Sequence, residues 1–371
     1  MSNIQEALKR RSAEAHAASE VFDFVREGAL ATFWRQATPG TTYWRGNLPM
    51  QYLPGQVLAM GNDSISGFNP EHPDLILHGQ EGAAIWQFLG DDGRSKIAAQ
   101  MQRQGLRTLM ELDDNYLRFA PPLYGKHGAW TKTHREAVAN GTGYSIEMHR
   151  NIVPMMDGLI VSTENLADEY SAFLDKVGST IPIYVCQNSV DPTDWNISRS
   201  ESDVLRIGYY GSASHARDFP LVKKALKWAA RQPDVEVVMI GFRPAGWSGT
   251  HVPWSDDLFG ARKALGNIDV GIAPLAVNPW SVGKSDVKAL EYAMAGVMPI
   301  LQDALPYHPW RDEHGWEWFC KTEDDWMTAI QRVVKERDKV KDWAGSAAGY
   351  VKRLRTIQSN IHHWRAAVDG T

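Results

Sequence analysis

The sequence has 371 residues, of which 43% are hydrophobic and 22% are charged, which excludes a disordered or fibrous protein and favours two globular domains. Its 39 basic residues are outnumbered by 44 acidic residues, and the resulting net charge of −5 argues against a globally basic nucleic-acid-binding protein, although a local basic patch stays open. No apolar run approaches the ~20 residues of a membrane span, and the first residues lack the features of a signal peptide. The two cysteines, Cys186 and Cys320, have neither a disulfide framework nor a metal-ligand spacing. We therefore expect a cytoplasmic protein without a membrane span.

The first half of the chain is predicted to start with a helix over residues 1–30 and to continue as an α/β domain. Residues 37–55 are rich in turn formers, and residues 115–145 are predicted to form an insertion or a long loop. Short segments that are apolar on both faces, as buried parallel strands are, are predicted as strands. These segments are Val57–Met60, Asp74–His78, Arg107–Leu112, Gly158–Ser162 and Ile183–Gln187.

The second half repeats the alternation of strands and helices after a turn-rich stretch at residues 188–203. Its predicted strands lie at residues 204–211, 235–241, 268–275, 297–302 and 316–321. Predicted helices begin after the expected N-cap residues Asp218 and Thr322, and a further helix is expected at residues 287–295. The tail from residue 331 is predicted to be helical, with a basic face that is solvated, and a partner-binding patch is the alternative.

This pattern predicts the fold class and the division into domains. Strands that alternate with helices imply a parallel, doubly wound sheet, and two such series imply two domains. We predict a first domain over residues 1–190, a second over residues 191–345 and a C-terminal helix over residues 346–371. The apolar residues of that helix are spaced to form one stripe: Val351, Leu354, Ile357, Ile361 and Trp364.

The first candidate ligand contact is the loop Gly211-Ser-Ala-Ser-His-Ala-Arg-Asp218, which follows the first strand of the second half. In open parallel sheets, ligands bind beyond the carboxyl ends of the strands, where loops lead into helix N-termini. Small residues allow the backbone to approach an anion there, so Gly211, Ser212, His215 and Arg217 are candidates for a diphosphate site. An ordinary strand–helix turn is the alternative, because the loop is neither a GxGxxG fingerprint nor a P-loop.

The second candidate is the stretch from Asn278 to Ile300, which follows a strand and enters a helix. Lys284, Lys288 and Glu291 are spaced four and three residues apart, so they share one helical face. Two cations suit a diphosphate, the carboxylate suits ribose hydroxyls, and Ser285 is a candidate helix cap. The alternative is a surface ion pair between Lys288 and Glu291.

Five segments of the chain resemble a known family. KSDVKALEYAMAGVMPI at residues 284–300 resembles the donor-binding motif of GT-B glycosyltransferases close to the large family-four group. GLIVSTENLADEY, VCQNSVDPTDW and RIGYYGSASHARD resemble, in chain order, the end of their first domain, their interdomain linker and the start of their second domain. ELDDNYL at residues 111–117 resembles a Glu-x-Asp-Asp segment of some bacterial and phage-encoded members. The resemblance is specific over residues 150–305 and weaker over residues 40–150.

The resemblance implies two Rossmann-like domains that face a cleft, with an acceptor in the first and a nucleotide-diphosphate sugar in the second. It implies a C-terminal helix that crosses back to the first domain. It also implies that basic residues stabilise the leaving diphosphate, so that neither a metal nor another cofactor is required. The Arg and Lys that commonly hold the diphosphate are not at their usual spacing in this chain, and Arg217, Lys284 and Lys288 are the candidates in their place. The chain departs from the family pattern at Gly283, which stands where the first Glu of a Glu-x₇-Glu pair is expected. Retention or inversion of the sugar configuration therefore stays open.

Candidate catalytic residues lie in the first half. Asp113 and Asp114 follow a predicted strand and suit acceptor positioning or general-base catalysis, while a divalent-metal role and a structural role stay open. His78 ends a predicted strand and His127 lies in the predicted insertion, so both are further candidates.

We therefore expect a glycosyltransferase whose donor is a nucleotide-diphosphate sugar. The alternatives are a sugar-nucleotide epimerase of the same architecture and a non-catalytic protein that binds a sugar or nucleotide. The acceptor is open among modified DNA, a protein side chain, a glycan and a lipid-linked sugar, and the sequence does not address the oligomeric state. Aromatic residues of the first half suit stacking on sugars or bases: Trp34, Tyr43, Trp44, Trp86, Tyr124 and Trp130.

Overall fold

The structure, a computed structural model, forms two compact units. Unit 1 takes its residues from Met1–Gln187 and Asn360–Thr371, and unit 2 comprises Asn188–Ser359. The structure describes residues 30–33, 39–53, 57–60, 83–87, 98–99, 102–103, 105, 107–118, 146–199, 202–212, 215–255 and 258–371. None of the helices in these ranges has the length and hydropathy needed to cross a bilayer.

Unit 1 contains a six-stranded sheet in which every neighbouring pair is parallel. Its strands are β1 (Leu30–Phe33), β2 (Val57–Met60), β3 (Ala83–Gln87), β4 (Arg107–Leu112), β5 (Gly158–Val161) and β6 (Ile183–Val185). The spatial order is β2-β1-β3-β4-β5-β6. Helix α1 (Ile146–Ile152) lies between β4 and β5, and helix α2 (Glu164–Val177) lies between β5 and β6. The side chain of Thr163 caps α2 by accepting a hydrogen bond from Leu166 N at 3.2 Å.

Unit 2 contains a second six-stranded parallel sheet. Its strands are β7 (Leu205–Gly211), β8 (Val235–Gly241), β9 (Thr250–Val252), β10 (Val270–Ala273), β11 (Met298–Gln302) and β12 (Phe319–Cys320). The spatial order is β12-β11-β10-β7-β8-β9. The chain therefore proceeds from β7 toward one edge and returns to β10 on the other side of β7. This reversal is the topological switch point of the sheet.

The helices that follow these strands are α3 (Lys223–Ala229), α4 (Leu258–Leu265), α5 (Val287–Met294), α6 (His308–Asp312), α7 (Glu323–Lys335), α8 (Val340–Leu354) and α9 (Ile357–Asp369). Helix α7 begins at a complete capping box between Thr322 and Asp325. The predicted cap at Thr322 is confirmed.

Helix α5 is fixed against the switch point by Tyr292. The Tyr292 hydroxyl accepts a hydrogen bond from Tyr210 N at 3.0 Å and donates one to Ile272 O at 3.0 Å. It thus joins β7 and β10, the two strands that flank the reversal. Gly271 makes this approach feasible, because a Cβ atom there would lie only 2.5 Å from the Tyr292 ring. These contacts set the position of the α5 N-terminus relative to both strands.

Several predicted strands have the expected bounds, including β2, β4 and β8. The interpretation of residues 37–55 as turns is wrong for Pro39–Met50, which is helical. Proline is tolerated at the beginning of a helix because its missing N–H is not needed there. Strand β3 was missed, and β1 begins at Leu30, which the predicted N-terminal helix had included. Residues 1–29 of that helix and the predicted strand Asp74–His78 lie outside the described residues.

The single apolar stripe predicted for the C-terminal tail is also wrong. Helix α8 ends at Leu354, and α9 begins at Ile357. Leu354 is 40% exposed, whereas Ile357, Ile361 and Trp364 of α9 are buried. The break at Arg355-Thr356 therefore divides the predicted stripe between two helices. Arg355, which the sequence placed among solvated basic residues, is buried.

Candidate functional site

The candidate site lies at the switch point of unit 2, between the loops that follow β7 and β10. The described residues of these loops, 212, 215–218 and 274–286, and the first turn of α5 are called the switch-point site below. Ligands of doubly wound proteins bind at such reversals, because adjacent loops diverge there and leave a crevice. The Asp218 carboxylate connects the two loops by accepting a hydrogen bond from Ala276 N at 2.8 Å.

Asp218 has a different role from the predicted helix cap. Its side chain makes no capping hydrogen bond with the following helical turn, Phe219–Leu221. Its second oxygen instead lies 2.8 Å from His215 Nδ1. Burial and the charges of Lys288 and Lys284 lower the pKa of His215 to about 4, against the opposing effect of Asp218. His215 is therefore neutral at pH 7, and the contact fits a proton on Nδ1 that is donated to Asp218.

Lys288 lies in the first turn of α5, close to the end of β7. Its Nζ is 4.8 Å from the centroid of the Tyr209 ring and would be 3.3 Å from a Cβ atom placed on Gly211. Burial lowers the pKa of Lys288 to about 8; Asp218 and Glu291 oppose this effect and Lys284 adds to it. Within the described ranges, Lys288 forms neither a hydrogen bond nor an ion pair. Its ammonium group therefore faces the glycine-containing end of β7.

The remaining basic candidates differ in their surroundings. Lys284 follows the helical turn Ser281–Gly283, and its Nζ is 5.3 Å from the centroid of the Trp280 ring. Arg217 lies in the loop after β7 with its side chain exposed. Ser212 follows Gly211 directly at the carboxyl end of β7. The structure thus places Lys284, Lys288 and His215 within electrostatic reach of one another.

Glu291 lies one turn beyond Lys288 on α5 and is 6% exposed. Its charge raises the pKa of Tyr210 and opposes the lowering of the Lys288 pKa, so it lies close to both residues. A buried carboxylate does not fit the alternative of a surface ion pair with Lys288. The Tyr210 ring itself stacks on Trp254, with 5.6 Å between centroids and 18° between planes.

Ser285 is not the cap of α5, because the N-cap position is Asp286. The Ser285 hydroxyl accepts a hydrogen bond from Asn188 Nδ2 at 2.8 Å. Asp286 is buried and forms a bidentate ion pair with Arg355. These contacts were not predicted from the sequence. The only available signal was an acidic residue next to the motif serine, and nothing local pointed to its partner.

In unit 1, Asp113 and Asp114 follow β4 at its carboxyl end and are partly buried. The Tyr116 hydroxyl donates a hydrogen bond to Asp113 Oδ1 at 2.9 Å. The preceding Glu111 is fully buried beside Arg45, with 2.6 Å between Arg45 Nε and Glu111 Oε1. Burial raises the pKa of Glu111 to about 8 against the opposing charge of Arg45.

The other predicted features of unit 1 are partly covered by the described residues. His78 and His127 lie outside the described residues, as do Trp34, Tyr124 and Trp130. Tyr43, Trp44 and Trp86 are buried core residues, so the prediction that they stack on a ligand is wrong. Among the described residues, no group of three His, Cys, Asp or Glu side chains is arranged to hold a metal ion.

Comparison with known proteins identifies the fold. No protein-family model and no curated protein matches the chain. Among solved structures, Anabaena Alr3699/HepE in complex with UDP has a TM-score of 0.59 at 10% identity, with 92% of this chain and 100% of that chain covered. A trehalose-6-phosphate synthase studied with bisubstrate glycomimetics has a TM-score of 0.59 at 11% identity, with coverages of 92% and 99%. A mutant of S. aureus TarM, in complex with UDP among other ligands, has a TM-score of 0.55 at 10% identity.

These structural neighbours are GT-B glycosyltransferases. The chain has the same fold, with two α/β units that are each built on a parallel sheet, and the predicted fold class is confirmed. The match covers 79% of this chain but spans only 56% of the length of the TarM chain.

Proposed function

We propose that this protein is a glycosyltransferase that takes a sugar from a nucleoside diphosphate sugar bound at the switch-point site. The observation that carries the proposal is the position of Lys288. Its ammonium group is partly buried at the carboxyl end of β7, beside Gly211 and within electrostatic reach of Lys284 and His215. Three nitrogen-bearing side chains around one glycine-containing strand end suit a ligand with several negative charges.

The lowered pKa of Lys288 supports an anionic ligand. A cation that is withdrawn from water and forms no ion pair is less stable in its charged form, even with Asp218 and Glu291 nearby. A diphosphate would supply the missing negative charge and would favour the protonated lysine. It would also raise the pKa of His215, because a nearby anion favours the imidazolium form.

Each remaining donor-site candidate has a role in this proposal. Lys284 and Arg217 add positive charge, and the backbone N–H groups at Ser212 add hydrogen-bond donors. Glu291 accepts hydrogen bonds from ribose hydroxyls. Negative charge on the diphosphate grows as the sugar–phosphate bond breaks, so fixed cations stabilise the transition state more than the bound donor. This chemistry requires no metal ion.

The ligands of the structural neighbours support a uridine nucleotide as the first donor to test. Alr3699/HepE was solved with UDP and with UDP-glucose, and TarM was solved with UDP. We propose that unit 1 binds the acceptor and that Asp113 or Asp114 positions it or removes its proton. His78 and His127 stay candidates for the same tasks. The acceptor class is open among modified DNA, a protein side chain, a glycan and a lipid-linked sugar.

The proposal is tested by measuring release of nucleoside diphosphate from UDP-, GDP-, ADP- and TDP-sugars, with and without members of an acceptor panel. We expect release from one donor that rises when its acceptor is present and that is lost in Lys288→Met. The matched control is Lys227→Met, which removes an exposed lysine of α3 and should leave release unchanged.

Other outcomes would contradict the proposal. Conversion of one sugar nucleotide into an isomer, without an acceptor, would identify an epimerase. Donor binding without turnover across the panel would identify a non-catalytic binding protein. If no nucleotide binds, the assignment of the switch-point site is wrong.

A further inference from the structure

A closed ring of side chains surrounds the turn that leads into α5. Arg355 donates hydrogen bonds to both carboxylate oxygens of Asp286, at 2.7 Å and 2.9 Å. Its Nη2 also donates to Asn188 O at 3.1 Å. Asn188 Nδ2 donates to Ser285 Oγ at 2.8 Å, next to Asp286 in the chain. The hydrogen bonds therefore form a closed ring that runs from Asp286 through Arg355 and Asn188 to Ser285.

Helix capping does not account for the Asp286 carboxylate. Its side chain makes no hydrogen bond with the N–H groups of its own helix. Both oxygens instead accept hydrogen bonds from Arg355, and one also accepts the indole N–H of Trp310 at 2.9 Å. The side chains of Asp286 and Arg355 are 5% and 4% exposed. The carboxylate thus anchors the turn to Arg355 and Trp310.

The two anchoring segments, at Asn188 and Arg355, are distant in sequence but are held together. Asn188 and Arg355 are 167 residues apart. Backbone hydrogen bonds join them through Val190, whose N donates to Arg355 O and whose O accepts from Ile357 N, both at 2.8 Å. The turn at Lys284-Ser285-Asp286 is therefore held by two segments that are themselves joined by backbone hydrogen bonds.

We propose that Arg355 is a positioning residue of the donor site. Through Asp286, and through Asn188 and Ser285, it holds the turn between Lys284 and Lys288, so that both ammonium groups are presented to the diphosphate in a fixed arrangement. Arg355 also neutralises the Asp286 carboxylate, which would otherwise repel an anion at the α5 N-terminus. The inference rests on the proposed function. Small displacements of charged groups reduce binding and turnover strongly, because these interactions depend on fixed geometry.

The test measures the affinity for UDP by calorimetry, with GDP, ADP and TDP in parallel, below the melting temperature of each variant. Arg355→Lys retains the positive charge but cannot form the bidentate ion pair with Asp286. We expect it to weaken nucleotide binding about tenfold or more. Asn188→Ala removes the hydrogen bond to Ser285 without changing either member of the ion pair. We expect about threefold to tenfold weaker binding with a melting temperature close to that of the wild type.

The matched control is Arg206→Lys. Arg206 pairs with Asp269 at the opposite, amino-terminal edge of the same sheet, with 3.2 Å between Nη2 and Oδ1. This variant should lower the melting temperature and leave nucleotide affinity unchanged. If Arg355 were only structural, Arg355→Lys would behave like Arg206→Lys, with a lower melting temperature and unchanged nucleotide affinity. If Arg355 is a positioning residue, Arg355→Lys also weakens nucleotide binding.

The inference is overturned if Arg355→Lys and Asn188→Ala both bind nucleotide like the wild type, or if Arg206→Lys weakens binding as much as they do. If Arg355→Lys does not fold, Asn188→Ala alone decides. When Lys288→Met loses affinity and these two variants do not, only the inference fails. When the wild type binds none of the four nucleotides, the proposed function fails and the inference fails with it.

Discussion

The charge of Lys288 should make nucleotide affinity depend on pH. Its pKa in the free protein is lowered to about 8 from an ordinary value of 10.5. A diphosphate favours the protonated amine, so affinity is highest below pH 8 and falls as pH rises above it. About nine-tenths of the free protein carries the charge at pH 7 and about one-tenth at pH 9. The dissociation constant for UDP should therefore rise about tenfold, or ~1.4 kcal/mol, between these values.

Calorimetric titration of the wild type and two variants at pH 7, 8 and 9 measures this effect. Lys288→Arg stays charged throughout and should show a flat profile, while Lys288→Met should bind weakly at every pH. His215, with a pKa of about 4, and Tyr209, whose pKa burial raises well above 10, do not titrate in this window. A flat wild-type profile, or an equal slope in Lys288→Arg, would refute the assignment of the diphosphate to Lys288.

Four further predictions follow from the same contacts. Glu291→Gln should weaken nucleotide binding tenfold or more, since a hydrogen bond to a charged group contributes ~1.5–3 kcal/mol; unchanged affinity in calorimetry would make Glu291 structural. Asp113→Asn should lower turnover about 10²–10⁴-fold and leave nucleotide affinity unchanged, and turnover near the wild-type value would exclude Asp113. The wild type should lose stability as pH falls from 6.5 toward 4, because His215 binds a proton in the unfolded state at a higher pH than in the folded state. Chemical denaturation should show a loss of at most about 2 kcal/mol at pH 5 in the wild type, and this loss should be absent in His215→Asn. Chelation with EDTA should leave turnover unchanged, whereas loss of turnover that a divalent cation restores would implicate Asp113 and Asp114.

The sheets were largely predictable because their strands carry a strong local signal. Strands β7, β10 and β11 are buried along their whole length, and such strands read as continuous apolar runs between turn formers. The helical segment Pro39–Met50 was not predictable in this way. Its prolines and glycines favour turns locally, while the burial of Tyr43 and Trp44 depends on packing with distant parts of the chain.

In the candidate site too, contacts between residues close in sequence were predictable, whereas contacts between distant residues were not. Lys288 and Glu291 are three residues apart on α5, so helical spacing alone placed them on one face. The same prediction was wrong for Lys284, which precedes the helix and has an extended backbone. Asp286 and Arg355 are 69 residues apart, and no periodicity links them. Arg355 counted as a solvated cation because it belongs to a basic stretch that includes its neighbours Lys352 and Arg353, which are in fact exposed. Only the tertiary structure distinguishes it from them.

A crystal structure of the protein with UDP, or with whichever of the four nucleotides binds most tightly, tests the central claim most directly. The account predicts that the diphosphate lies at the switch-point site, within hydrogen-bonding distance of Lys288 Nζ and of a backbone N–H at the end of β7. It also predicts that Glu291 accepts a hydrogen bond from the ribose. A nucleotide bound elsewhere, with Lys288 still beside Tyr209 and no phosphate near it, would contradict the account.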